Sequence, residues 1–356
     1  MAPGRKPKVT SKPTTNYSSR KSNNSVQKNP ETVAVPIELQ QTVLDVFRRA
    51  FASDEQQDVK AAIQEVKGHL YQRDFAAAFA KQEYLEAYAF RWSSSRALGY
   101  SDIFLHGNLQ EVWQGGAACN ATSIEPSLTS ATTVACIGGG GGAEVAACAV
   151  AARTYSLSKV DVHAIDIADW SSCLTKLRDT LSTPPALSTY ASERAKAANK
   201  PLVERDQLKV TFSQRDILAM ERAELRATLD AVRLCTIMFT LNELFTSSIS
   251  RTTALLLALT DIMQPGSWLL VVDSPGSYSE VKLGQGQDAK TKQYPMKWLL
   301  DHTLLEVAGL GENSKWEKHV SDDSRWFRLS SSLKYPIELE NMRYQIHLYQ
   351  RIEGVS

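Results

Sequence analysis

The chain has 356 residues, 43% hydrophobic and 22% charged, with five cysteines and a formal net charge of +1. This is an ordinary globular balance with room for one large core or two small ones, and by itself it names no function. Cys119, Cys136, Cys148, Cys173 and Cys235 form no CxxC and no Cys/His cluster, and the longest apolar stretch, residues 254–272, is broken by Asp261, Gln264, Pro265 and Gly266. The expectation is a soluble intracellular protein in a reducing compartment, with no structural metal and no membrane partner.

The charge is unevenly placed. Residues 1–30 hold Arg5, Lys6, Lys8, Lys12, Arg20, Lys21 and Lys28 and no acid, which leaves −6 for the rest of the chain. Residues 1–35, rich in Ser, Thr, Asn and Pro, read as a disordered basic tail. Such a tail is either a solvated arm or a source of phosphate-neutralising charge or a nuclear address, and the expected location is nucleus or nucleolus and cytoplasm.

Residues 36–125 read as an N-terminal helical segment. Leu39, Val43, Val46, Phe47 and Phe51 fall on one helical face, and Val59, Ile63, Val66 and Leu70 repeat it after Ser53, whose spacing to Gln56 fits a capping box. A third helix is predicted over 74–90, and the three are expected to pack as a bundle beside the main domain. Within residues 88–100, Arg91, Trp92 and Arg96 interleave charge with aromatic surface. That mixture suits RNA phosphates and bases, or equally a helix end docked on a sheet.

Past Pro126 the texture becomes α/β, and residues 126–356 read as one doubly wound, Rossmann-like domain. Strands are predicted over 133–137, 161–165, 209–212, 234–239, 268–272 and 344–349. Helices are predicted over 144–154, 170–181, 217–228, 251–263 and 297–307, with a surface insertion over 182–206. Residues 322–328 share the arginine-aromatic ambiguity of residues 88–100.

The chemistry is signalled by the run from Thr132 to Glu144, a buried strand ending in five glycines that open an amphipathic helix. Gly138, Gly139, Gly140 and Gly142 permit a sharp turn and let a ligand lie against the backbone, with Glu144 following. Gly138, Gly140 and Ala143 also satisfy G-x-G-x-x-A, so a nicotinamide or flavin enzyme is the rival reading. Asp166, ending the second strand, suits ribose hydroxyls in either case. Asp216 after the third strand can accept from an adenine amine or cap a helix starting at Ile217, and Ile217 can cover the ring. Asn242 and Glu243, after the fourth strand, face the reaction site as candidate catalytic residues. Cys136, Cys148 and the scattered histidines read as structural.

At these residues the sequence resembles the fungal family of large-subunit (25S) ribosomal RNA uridine-N3 methyltransferases. The matching runs are 87–93 with 95–98, 135–140, 241–245, and 340–345 with 347–349. The resemblance implies a class I methyltransferase fold, S-adenosylmethionine as cofactor and large-subunit ribosomal RNA as partner. It would make Glu243 or Asp216 the group that helps the uracil imide lose its proton. A dinucleotide oxidoreductase and a non-catalytic RNA-binding assembly factor are the alternatives.

Overall fold

The computed structural model describes residues 33–52, 56–114, 131–276, 278–283, 290–309 and 311–353. The basic residues of the tail, the Ser53 cap, Cys119 and the Pro126 boundary lie outside them. Helix α1 (Ile37–Phe51) buries Val43, Leu44, Val46, Phe47 and Phe51, the predicted stripe, and α2 (Gln56–Tyr71) follows. The predicted third helix is broken. A short α3 (Phe75–Ala78) is capped by Asp74, whose carboxylate accepts from the Ala77 N–H, and extended backbone at Lys81 separates it from α4 (Gln82–Tyr88). From Tyr88 the chain runs on through a π turn at Ala89–Ser93 into α5 (Ser94–Phe104), and α6 (Gln110–Gln114) closes the segment. The arginine-aromatic run is thus the middle of a continuous helical path.

The α/β part follows as β1 (Thr132–Ile137), α7 (Ala143–Thr154), β2 (Val160–Asp166), α8 (Ser171–Leu181), α9 (Glu193–Ala198), β3 (Leu208–Gln214), α10 (Arg222–Leu229) and β4 (Leu234–Met238). Then come α11 (Leu241–Ser247), α12 (Ile249–Ile262), β5 (Trp268–Asp273), β6 (Tyr278–Leu283), β7 (Lys290–Pro295), α13 (Met296–Asp301), β8 (Trp316–Phe327) and β9 (Met342–Arg351). The main sheet has the order β3-β2-β1-β4-β5-β9-β8; β1 to β5 pair in parallel, and β9 runs antiparallel to both β5 and β8. The order reverses between β1 and β4, which is where open α/β sheets place a ligand crevice. Among the described residues no helix is long and apolar enough to cross a membrane, and no cluster of His, Cys, Asp and Glu is arranged to hold a metal.

All six predicted strands are present. The seventh, β8, escapes the alternation rule because its register slips between Lys318 and Val320 and again between Asp322 and Arg325. One helix is shifted. The one expected from Ile217 starts at Arg222, because the Asp216 carboxylate accepts from the Leu218 N–H at 2.9 Å and holds the chain in a turn instead of capping a helix. Asn242 and Glu243, placed after the fourth strand, lie in the first turn of α11.

The amphipathic reading of α7 is also corrected. Every residue from Ala143 to Ala152 is buried, so this alanine-rich helix must be covered on the side away from the sheet. The N-terminal helices supply the cover. Phe47, Phe51, Phe90, Leu98 and Phe104 share one continuous core with Val145, Val150, Leu174 and Leu270, so the helical segment does not stand beside the sheet as a separate bundle.

Candidate active site

A cleft of about 780 Å³ opens at the carboxyl ends of the parallel strands, within the ~300–1,000 Å³ range of small-molecule sites. Another concavity of similar volume lies between α1 and residues 332–336, with none of the strand ends or glycines in its wall. The strand-end cleft is the one with chemistry.

Its floor is the glycine loop. Gly138 (φ +76°) and Gly142 (φ +78°) adopt left-handed backbone that favours glycine. Their neighbours add a second reason: a Cβ on Gly138 would stand 2.2 Å from Thr240 Oγ1, and one on Gly140 2.0 Å from the Trp170 ring. Gly138 lines the cleft together with Gly141, Ala143 and Glu144, whereas Gly139, Gly140 and Gly142 do not. The glycines are required by protein packed against them. Four of the five loop glycine amides are committed too. Gly138 N donates to Ile165 O (2.8 Å), Gly139 N to Cys136 O (3.4 Å), Gly142 N to Gly139 O (3.1 Å) and Gly140 N to Asp166 Oδ2 (3.1 Å). A dinucleotide pyrophosphate needs such amides free, and here a carboxylate holds Gly140 N instead.

Asp166, Asp216 and Ile217 all line the cleft, at the ends of β2 and β3 as the sequence places them. Asp166 also accepts from Ala168 N at 3.2 Å, and burial raises its pKa against the pull of these N–H bonds. Glu144 is 4% exposed, and burial lifts its pKa to about 7 although Arg96 opposes the shift. Asp273, which ends β5, is 4% exposed and accepts from the backbone N–H groups of Asn242 (2.9 Å) and Ser274 (2.7 Å). Burial still raises it to about 6.

The opposite wall comes from α4 and α5. Arg96 donates to Tyr88 Oη at 2.8 Å and lies 4.6 Å over the Phe239 ring, which stacks on Tyr100. Phe239 is held at φ +54°, a conformation costly for an aromatic residue and concentrated at functional sites. Trp92 lines the cleft nearby. Arg91 does not: its guanidinium pairs with Glu340 at 2.6 Å away from the cleft. Asn242 and Glu243 stand in the first turn of α11. The Asn242 side-chain oxygen is buried with no hydrogen-bond partner among the described residues, whereas Glu243 is held by Arg73 at 2.8 Å through both oxygens. That ion pair joins the α2–α3 connection to α11 across the mouth.

Sequence reasoning missed Asp273, Tyr100, Phe239 and Arg73. Asp273 was within reach, because it ends a parallel strand just as Asp166 does. The others reach the cleft only through tertiary packing.

Two buried carboxyl groups, Glu144 and Asp273, therefore flank the Arg96 guanidinium, and the half-buried Asp166 adds a third acid to the same cleft. This excess of acid fits a ligand bearing a sulfonium and an ammonium, with Arg96 left to meet a carboxylate, and it repels phosphates. The match to a family of sequences described as SAM-dependent methyltransferases covers residues 47–350. The chain belongs to that family. S-adenosylmethionine is its cofactor. Among curated proteins the chain is 29% identical to the 25S rRNA (uridine(2843)-N(3))-methyltransferase of Saccharomyces cerevisiae, over 91% of this chain and 90% of that one. Among solved structures, an O-methyltransferase family protein from Burkholderia thailandensis is 10% identical with a TM-score of 0.40, covering 86% of this chain and 76% of that one. A SAM-dependent methyltransferase from Methanosarcina mazei is 9% identical with a TM-score of 0.34, covering 62% and 93%.

Proposed function

We propose that this methyltransferase modifies N3 of a uridine in large-subunit ribosomal RNA. The observation that carries the reading is the yeast relative, whose likeness spans nine-tenths of both chains and so includes the whole cleft. The cleft is compatible with it. A uracil imide edge presents an N–H between two carbonyl oxygens. Asp273 offers a carboxylate to the N–H, and the Asn242 side-chain amide, still without a partner for its oxygen, lies beside it to orient the ring.

S-adenosylmethionine, when bound, supplies an electrophilic methyl group. The chain's residues do the rest. Asp166 holds the ribose hydroxyls, Asp216 and Ile217 hold the adenine, and Arg96 takes the amino-acid carboxylate. With its pKa near 6, Asp273 is mostly ionised at neutral pH and accepts the N3 proton as the new N–C bond forms. Glu243, one of the two acids the sequence offers as the base beside Asp216, serves here at the lip through its bond to Arg73. Because N3 lies on the pairing edge, the uridine must enter unpaired or flipped. Glycine loop, Asp166 and Arg96 fix cofactor; Asn242 and Asp273 fix base. The seven basic residues of the tail add to RNA affinity and to a nuclear or nucleolar and cytoplasmic location in the same proposal.

The test is mass analysis of nucleosides from large-subunit rRNA of cells with and without the protein. Loss of 3-methyluridine is expected, restored by wild-type protein and not by Asp273→Asn. An unchanged nucleoside profile refutes the substrate.

A further inference from the structure

Resting on the RNA reading above, we propose that Trp326, Arg328 and Arg343 form a platform on the lip of the cleft that grips a single-stranded RNA nucleotide flanking the target uridine. Trp326 is a large aromatic residue left 51% exposed. The guanidinium of Arg328 lies 4.9 Å and that of Arg343 5.7 Å from its ring centroid. Both arginines are exposed, and neither has a carboxylate partner among the described residues. The acids in the same strand are already met, Asp322 by Arg325 at 2.9 Å and Asp323 by Lys297 at 2.6 Å. Arg343 Nε donates to Ser324 Oγ at 3.1 Å, which leaves its charge unneutralised. Stacking surface and unpaired phosphate-binding charge therefore coincide, the combination that recognises single-stranded nucleic acid.

The topology puts this patch beside the chemistry. Asp273 pairs with Gln345 on β9, and Arg343 pairs with Trp326 on β8. Because β9 is antiparallel to β5, stepping from Gln345 back to Arg343 moves outward past the strand end that carries Asp273. The displacement is about 10 Å across two strand spacings and about 7 Å along the strand. Gln345 ties this corner to the lip by donating to Ser274 O at 2.7 Å. Phe327 and Met342 turn inward to Gly99 of α5, so their neighbours Trp326 and Arg343 point the other way, toward the face covered by α13. On that face Trp298, 45% exposed, stacks between Tyr294 (5.0 Å) and His302 (4.9 Å), and the Lys297–Asp323 pair links α13 to β8. A strand leaving the cleft over Asp273 toward β8 crosses β9 at Arg343 and reaches Trp326 on β8.

Fluorescence anisotropy with a labelled oligouridylate tests this, with S-adenosylmethionine affinity measured on the same proteins. Trp326→Ala is expected to weaken RNA binding roughly tenfold with cofactor affinity unchanged, and Trp326→Phe to restore most of it. Replacing Arg328 and Arg343 together by Ala should flatten the dependence of log affinity on log salt by about 0.7 per arginine. If wild type binds the RNA and Trp326→Ala binds it equally, the platform is overturned while the substrate reading stands, and the exposed tryptophans belong to a protein contact. If wild type binds cofactor but no RNA, the substrate reading falls and takes the platform with it.

Discussion

Substituting Glu144 by Gln tests whether the cleft is acidic in excess. With its pKa raised from 4.5 to about 7 by burial, ionising Glu144 in the folded protein costs about 3 kcal/mol more than in the unfolded chain. The sign follows from proton counts. Between pH ~4.5 and ~7 the folded state holds the proton that the unfolded state has released, so stability falls as pH rises through that window and is lowest above it. Asp273, raised from 3.8 to about 6, adds a fall that begins lower. Urea unfolding of the cofactor-free protein from pH 5 to pH 8 should show this decline, and Glu144→Gln should flatten it by up to about 3 kcal/mol. A cationic ligand stabilises the ionised carboxylates, so calorimetry should find S-adenosylmethionine binding tighter at pH 7.5 than at pH 5.5 in wild type, and less so in the variant. A stability profile identical in the two proteins, or a wild-type affinity that does not change with pH, refutes the reasoning.

Asp166→Ala should weaken S-adenosylmethionine about ten- to a hundredfold by calorimetry, because charged-acceptor hydrogen bonds contribute ~1.5–3 kcal/mol, while Asn loses less. It should also lower the melting temperature, since Gly140 N and Ala168 N both lose their acceptor. Gly140→Ala should destabilise the fold through the Trp170 ring, and a stable variant that fails only in cofactor binding would contradict the packing account. Arg73→Ala removes a half-exposed ion pair and should cost under ~1 kcal/mol of stability by urea unfolding. Its effect should fall on KM for RNA, with cofactor affinity retained.

Much of the sheet was legible because β1, β4 and β5 are short apolar runs buried on both faces, and because an acid after such a run marks the crevice end. That rule puts Asp166 at the cleft, and the same rule puts Asp273 there. What could not be read is the wall opposite. The arginine-aromatic run of residues 88–100 stands out in the sequence, but it suits RNA and a docked helix end equally; only the burial of α7 on every side forces α5 against it and brings Tyr88, Ser93, Arg96 and Tyr100 to the cleft, some forty residues before the glycine loop. Glu243 shows the converse. Its place after β4 is correct, but its partner is Arg73, 170 residues away, and both of its oxygens are taken up by that guanidinium.

The glycine run was the strongest signal in the sequence and also the one that could not decide between cofactors. Its spacing satisfies a dinucleotide fingerprint because both uses require a strand to turn sharply into a helix. The difference lies in what receives the loop's N–H groups. A phosphate site leaves them pointing at the ligand, whereas here carbonyl oxygens and Asp166 accept them, and Trp170 and Thr240 fill the space that missing side chains leave. Four of the five glycine N–H groups are thereby withheld from an anion. Glu144, Asp166 and Asp273 instead set a negative potential over the cleft, which a sulfonium neutralises and a pyrophosphate would intensify, so the choice between the two cofactors is made by residues 4 to 133 positions removed from Gly140 as much as by the loop itself.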